Sequence, residues 1–535
     1  MADDTATRGA SDLRAVTDRL FRSCVGSGSP GAVVAVTRHG REILRAAYGM
    51  ADIAHGIPLD ARSVIRIGSQ TKQFTVLLTL MLAAEGKLSL DDEVSRYLPW
   101  LPKYPTPVTL RHVASNTSGL REFLEALAFS GIAITTQSSR ETARRVIGRQ
   151  ADFNFLPGEA MIYCNTGFFL LSEIVEQVSG RTFNELLAER ITGPLGMNDT
   201  RLMQRDSQIL PRLSAHHTRG ADGGWHRAQW GVVLGGEGGM VSTLEDMLVW
   251  QANLADPKVG TADMYRLMAT PSVYRNGTTA LYAHGLVAAP YRGLATIGHG
   301  GGVAGGRSES IRFPDQEFGV VILGNRDDIS PYSLSLRIAD AALGAHMTDA
   351  RVSADWTRLA GAAGIYRHDG GDDLFEIAVQ DGEPVFVTNA GAAVIEQTGP
   401  NRFAPERPTM HIVFSPDGAG DMDVTFCGER RRYRRIDATP PTSPHAIAGR
   451  WHHAGAGVTL DIAAEEHGHT LLLSSEFGTL SLHVAHLDGD LFIARPTSDG
   501  GTAAGRPWTC TIRATGDAVE LSSDRTKRLR FARTR

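Results

Sequence analysis

The stretch Ile67-Gly68-Ser69-Gln70-Thr71-Lys72-Gln73-Phe74 decides how the rest of the chain is read. Lysine is scarce: only Lys72, Lys87, Lys103, Lys258 and Lys527 occur, and arginine supplies the remainder of the 54 basic residues. A lysine on an otherwise apolar helix, three residues after a serine, points to a removable proton. A desolvated ammonium gives up its proton and a guanidinium does not. A serine hydroxyl needs such a neighbouring base before it becomes a nucleophile. Among these lysines only Lys72 has a serine three positions before it. Phe74, Leu77, Leu78, Met81 and Leu82 predict a helix from about Gln70 to Glu85, stopped by Gly86. If Ser69 opens that helix, Lys72 lies one turn on, on the same face, and Ser69 takes the positive end of the helix dipole.

Outward from this helix, residues 31–48 read as a hairpin turning at His39-Gly40. Residues 100–290 carry mostly helical patterns, one running from Thr166 to Val178 and ending at Gly180. Strand patterns return at 293–298, 307–313 and 318–323. Terminal strands around a helical middle predict an α+β domain whose sheet is closed by distant segments, over residues 1–345. Beyond it, short alternating runs between Asp-Gly, Gly-Gly and Gly-Pro turns predict antiparallel β structure. Ala363-Gly364-Ile365-Tyr366 and Ala448-Gly449-Arg450-Trp451 open two similar sections on either side of a Pro-rich linker at 438–444. Each has the length of a small up-and-down barrel, so two duplicated antiparallel β-barrel domains are expected, 346–438 and 445–535.

Composition narrows the function. With 535 residues, 42% hydrophobic and 21% charged, the chain has the make-up of a soluble multidomain protein. A net charge of −5 offers no basic footprint for nucleic acid, and the arginine run at 430–435 reads as a solvated strand face. No apolar run is long enough for a membrane span. The polar, acidic start Met1-Ala2-Asp3-Asp4-Thr5 is unlike a secretory signal. Cys24, Cys164, Cys427 and Cys510 are widely spaced, so free thiols and a cytoplasmic location are expected, with neither metal nor organic cofactor implied.

Three further blocks carry a resemblance. They are Ser115-Asn116-Thr117-Ser118-Gly119-Leu120, the run from Pro157 through Tyr163-Cys164-Asn165 to Leu171, and Gly193-Pro194-Leu195-Gly196-Met197. Together with Ser69-x-x-Lys72 they are similar to the motifs of the penicillin-recognising serine hydrolases, which include class C β-lactamases, DD-peptidases, esterases and D-aminopeptidases. The resemblance covers residues 20–345 and implies a β-lactamase/transpeptidase-like domain, an antiparallel sheet with a helical region. Asn116 stands where the family usually has histidine. Tyr163 and Asn165 then carry the Tyr-x-Asn roles, proton transfer to the leaving amine and orientation of Lys72 and substrate. Tyr274-Arg275-Asn276 matches the same pattern but sits in a Gly-flanked turn, and Cys164 reads as packing.

The family's Lys-Thr-Gly element corresponds to His299-Gly300-Gly301, expected just after a strand. His368 and His453 also begin a His-x-Gly, but only His299 has the Gly-rich strand context. The backbone N–H groups of Ser69 and Gly302 would form the oxyanion hole. An imidazole holds a substrate carboxylate less well than an ammonium, which disfavours β-lactamase or DD-carboxypeptidase action. With the two added β domains, the chain resembles the D-aminopeptidase branch of the family. The expected activity is removal of N-terminal D-residues from peptides, amides and esters through an acyl-enzyme. Lys72 and Tyr163 both stay open as the base of each step. In that branch a loop of the last β domain supplies a carboxylate for the substrate ammonium. The loop here is about 496–506 and the candidate is Asp499, whereas Asp488 and Asp490 belong to a structural turn. Expected partners are small peptides or amides with a free N-terminus. β-Lactams are expected as inhibitors, and a homodimer is compatible with the resemblance. Ester or lactam hydrolysis at the same serine, and binding without catalysis, are the alternatives.

Overall fold

The computed structural model describes residues 12–220, 222–348, 359–369, 371–380, 382–388, 391–406, 412–416, 420–436, 447–465, 468–496 and 509–534. Strands β1 (Ala32–Arg38) and β2 (Arg41–Tyr48) form the expected hairpin. Its turn residues His39 and Gly40 have φ of 51° and 71°, the two-residue turn whose twist suits paired strands. The chain returns to this sheet with β3 (Val287–Tyr291), β4 (Leu294–Val303), β5 (Gly306–Phe313) and β6 (Phe318–Gly324). The order is β3-β4-β5-β6-β1-β2, all antiparallel, and β6 pairs with β1 from Ala32↔Gly324 to Arg38↔Phe318. Distant segments therefore close the sheet, as the terminal strand patterns require.

Both faces of the sheet are covered, which explains why β1 and β6 read as unbroken apolar runs. Helix α4 (Pro331–Leu343) packs Leu336, Ala339 and Leu343 with Val34, Val36 and Ile322 on one face. Val33, Ala35, Val321 and Leu323 face the opposite way, into the main core of α1 (Thr71–Ala84), α2 (Phe123–Phe129) and α3 (Asn165–Ser179). The period of two along β1 thus distributes alternate residues between two cores. Helix α3 ends at Gly180 in the left-handed conformation (φ 67°), the usual helix stop.

The sequence places His299-Gly300-Gly301 after a strand; in the structure β4 runs on through it to Val303. The ladder with β5 continues from Ile297↔Arg312 to Val303↔Gly306, so pairing overrides the weak strand preference of three glycines. β3 pairs only with residues 294–298, which leaves 299–303 as an open strand edge. The helical region also holds a small sheet of Ile65–Arg66, Met240–Ser242 and Arg201–Leu202, which fixes the entry to the Ser69 turn.

Two closed eight-stranded antiparallel barrels follow, β7 (Gly364–His368) to β14 (Glu429–Ile436) and β15 (Gly449–His453) to β22 (Leu529–Arg533). Their opening strands repeat one device: Tyr366 donates its hydroxyl to the carbonyl of Ala362 and Trp451 its indole N–H to that of Ile447, each four residues back. Both rings are fully buried in their barrels. These are the two antiparallel β-barrels expected after the N-terminal domain. The linker at 438–444 lies outside the described residues. Asp488 and Asp490 receive Arg367 at 2.8 and 2.5 Å and join the barrels, the structural role read from the sequence. Phe129 at the end of α2 belongs to the core of the second barrel, so this barrel is seated on the N-terminal domain. All four cysteines are buried and unpaired.

Candidate active site

Ser69 sits in a short 3-10 turn, Gly68–Gln70, that leads directly into α1. The helix is buried along almost its whole length, yet its first turns are polar. Buried polar groups need partners, and here they have them. Thr71 donates to the carbonyl of Gly68 (2.7 Å), Gln73 accepts from Trp250 (2.9 Å), and Thr75 donates to the carbonyl of Gly236 (2.6 Å). Lys72, with no exposed surface, reaches Ser69 Oγ (3.1 Å), Asn165 Oδ1 (2.7 Å) and the carbonyl of Glu237. Burial pulls its pKa down from 10.5 to about 7, while Glu237 and Glu122 oppose the shift and Arg525 assists it. The carboxyl of Glu237 accepts from the N–H of Gly235 (2.7 Å), and burial raises its pKa. The site thus holds a lysine with a readily lost proton beside a half-buried serine.

Tyr163 and Asn165 arrive from the segment that starts α3. Lys72 Nζ lies 4.9 Å from the centre of the Tyr163 ring. The Tyr163 hydroxyl is buried and meets no partner in hydrogen-bond geometry among the described residues. Burial raises its pKa and its neighbour Ser69 draws it down. Asn116, at φ 59°, accepts from the N–H of Cys164 (2.9 Å) and so ties the Ser115–Leu120 block to the Tyr-x-Asn segment. Cys164 is buried, its Sγ points at the carbonyl of Leu120 (3.3 Å), and burial pushes its thiol up to about 12, the behaviour of a packing residue. Tyr274 and Asn276 lie in a turn against the first barrel, where Asn276 donates to the carbonyl of Cys427 (3.1 Å). His368 lies tilted against Tyr433 and His453 edge-on to Phe531, each within its own barrel domain.

One face of β4, beside its open edge, packs on the Ser69 turn. A Cβ on Gly68 would meet the N of Gly302 at 2.7 Å, and one on Gly301 would meet the carbonyl of Ile67 at 1.8 Å. Side chains at either position would push strand and turn apart, so glycine is required by contact. This brings the backbones of Ser69 and Gly302 together. His299 is buried beside Lys72, and burial, helped by that lysine, lowers its pKa to about 3. Its Nδ1 faces the carbonyl of Gly300 (2.5 Å), which assigns the proton to Nδ1, and Nε2 accepts from the hydroxyl of Tyr282 (3.0 Å). Both ring nitrogens are occupied and the ring is neutral.

The sequence missed Glu122, Tyr282, Glu237 and Arg525. Glu122, the cap of α2, accepts from the backbone N–H of Asn165 (2.5 Å), from Asn165 Nδ2 (3.2 Å) and from the N–H of Leu124 (3.2 Å). It orients the Asn165 amide with its oxygen toward Lys72. An acidic residue two positions after the Ser115–Leu120 block was the available signal. Replacing Glu122 by Gln puts an NH2 group against donors. A buried donor without an acceptor costs about 1–3 kcal/mol, so kcat is expected to fall ~10- to 100-fold with little change in KM. Steady-state kinetics with a thermal melt separate this from loss of the helix cap, which lowers Tm alone. Asp499 lies outside the described residues.

Three comparisons bear on this geometry. The family model described as Beta-lactamase matches residues 17–345. A D-aminopeptidase of Cereibacter sphaeroides is 28% identical over 503 residues, 92% of each chain. One of Gluconobacter oxydans is 30% identical over 332 residues, 62% of each chain. Among solved structures, the octameric penicillin-binding protein homologue from Pyrococcus abyssi has a TM-score of 0.54 at 19% identity, covering 99% of this chain and 100% of that one. The D-amino acid amidase from Ochrobactrum anthropi SV3 has a TM-score of 0.53 at 22% identity, covering 62% of this chain and 99% of that one. The penicillin binding protein from Bacillus halodurans has the same TM-score and identity over 61% of this chain and 98% of its own.

Proposed function

This chain belongs to the beta-lactamase family of serine hydrolases, and on that premise we propose that it is an aminopeptidase acting on N-terminal D-residues. The observation that carries the reading is His299. In a site otherwise equipped for acyl transfer, the place of a carboxylate-holding cation is taken by a neutral imidazole with both nitrogens engaged. Full-length relatives named D-aminopeptidase support the same direction.

In the proposed mechanism Lys72, as its free amine, takes the Ser69 proton while Oγ attacks the substrate carbonyl. The N–H groups of Ser69 and Gly302 receive the oxyanion. Tyr163 passes a proton to the departing amine, and water then hydrolyses the acyl-enzyme. Asn165, held by Glu122, keeps Lys72 aimed at Ser69. The substrate backbone would add to the open edge of β4 at residues 299–303. Asp499 remains the proposed anchor for the substrate ammonium.

The test is cleavage of D-alanine p-nitroanilide, with its L-enantiomer and its N-acetyl derivative as controls. Turnover of the first alone is the expected result. Rapid hydrolysis of a chromogenic cephalosporin without anilide cleavage would replace the aminopeptidase reading by a lactamase one.

A further inference from the structure

The second barrel reaches the active site through a described loop that the sequence did not single out. Residues 523–528 connect β21 (Ala518–Ser522) to β22. Asn154 of the N-terminal domain clamps this loop at two points, donating to the carbonyl of Arg525 (2.7 Å) and accepting from the N–H of Lys527 (2.8 Å). Ser523 donates to Glu125 (2.5 Å), and Lys527 pairs with Asp373 of the first barrel at 3.1 Å. The loop is therefore held by both other domains.

What it presents is Arg525. The guanidinium lies 5.1 Å from the centre of the Tyr163 ring, the same ring that Lys72 approaches. Among the described residues its five donors make no hydrogen bond or ion pair, and the side chain is only partly exposed. Glu122, Glu125 and Asp524 are the carboxyls near enough to attract it; Glu122 is hydrogen-bonded to Asn165 and Glu125 to Ser523. A partly exposed cation whose fork of donors meets no protein partner among the described residues is open to an incoming anion, and a carboxylate matches that fork in two parallel bonds.

Resting on the aminopeptidase reading, we propose that Arg525 forms a carboxylate-binding subsite for the leaving group, which makes D-aminoacyl dipeptides with a free C-terminus the preferred substrates. Tyr163 serves the departing amine, so the nitrogen of the second residue lies at its hydroxyl. One residue spans about 3.6 Å, which brings that residue's α-carboxylate within reach of a guanidinium standing over the Tyr163 ring. His299 cannot take this role, because both its nitrogens are occupied.

The experiment compares kcat/KM for D-alanyl-glycine and D-alanyl-glycinamide, with D-alanine p-nitroanilide as reference, in the full-length protein and in Arg525→Gln and Arg525→Lys. The wild type is expected to favour the free acid over the amide by at least ~10-fold. Arg525→Gln should abolish that preference, mainly through KM, and Arg525→Lys should keep part of it. Equal rates on acid and amide by the wild type would overturn the subsite without any variant. So would an Arg525→Gln protein that loses activity on both dipeptides equally, since the arginine would then act on Tyr163 and Lys72. A wild type inert on all three substrates would remove the aminopeptidase reading itself and the subsite with it.

Discussion

Ser69→Ala is expected to lower kcat by about 10^6-fold, as loss of the nucleophile does in other serine hydrolases. The hydroxyl is the atom that would bond to the acyl group, and no neighbouring side chain replaces it. Cys164 is the nearest candidate in sequence, but its sulfur is turned to the carbonyl of Leu120 and its proton is held by burial. The substitution leaves the site standing: Lys72 keeps Asn165 and the carbonyl of Glu237, and Gly68 still lies against Gly302. The thermal melt should move little. Intact-mass measurement after treatment with a fluorophosphonate should show one adduct on the wild type and none on the variant. An adduct on the variant would place the nucleophile elsewhere.

Lys72→Arg is expected to lower kcat/KM by about 10^4-fold, the upper end of what a general base contributes. A guanidinium keeps the positive charge but does not release its proton. The pH profile carries the sharper test. Because the free amine is the active form and burial holds its pKa near 7, kcat/KM in the wild type rises with pH up to about 7 and then levels. The rising limb should be absent in the variant's residual activity. Stability has its own sign. Between about 7 and 10.5 the unfolded chain binds a proton at Lys72 that the folded chain does not, so this residue's contribution rises with pH across that window. It is lowest below pH 7. A limb unchanged in Lys72→Arg would assign the base to another group.

Local pattern carried much of the architecture. The His39-Gly40 turn, the apolar spacing after Lys72, the glycine at 180 and the paired openings at Gly364 and Gly449 each depend on neighbours close in sequence. The extension of β4 through His299 did not show in the pattern, because glycines weaken any strand signal and only the ladder with β5 holds them. Ser69, Lys72, Tyr163, Asn165 and His299 were legible because each lies in a short motif. Glu122, Tyr282 and Glu237 were not, since their work is to orient those residues and any residue with the right acceptor or donor in the right place could do it. Arg525 had no local signal at all.

The sequence by itself determined the chemistry available: a serine and a lysine one helical turn apart, a tyrosine and an asparagine two residues apart, and a strand too rich in glycine to be ordinary. Those relations are set by backbone period, which is local. Tertiary structure decided the state and the surroundings of these groups. Burial of α1 lowers the lysine's pKa, the fit of Gly301 under Ile67 joins strand to turn, and Tyr282 with Gly300 occupies the imidazole. The seating of a second barrel on Asn154 sets a cation over Tyr163. Desolvation and charge act through space, and Arg525 comes within 5.1 Å of a ring that precedes it by hundreds of residues only once the whole chain has folded.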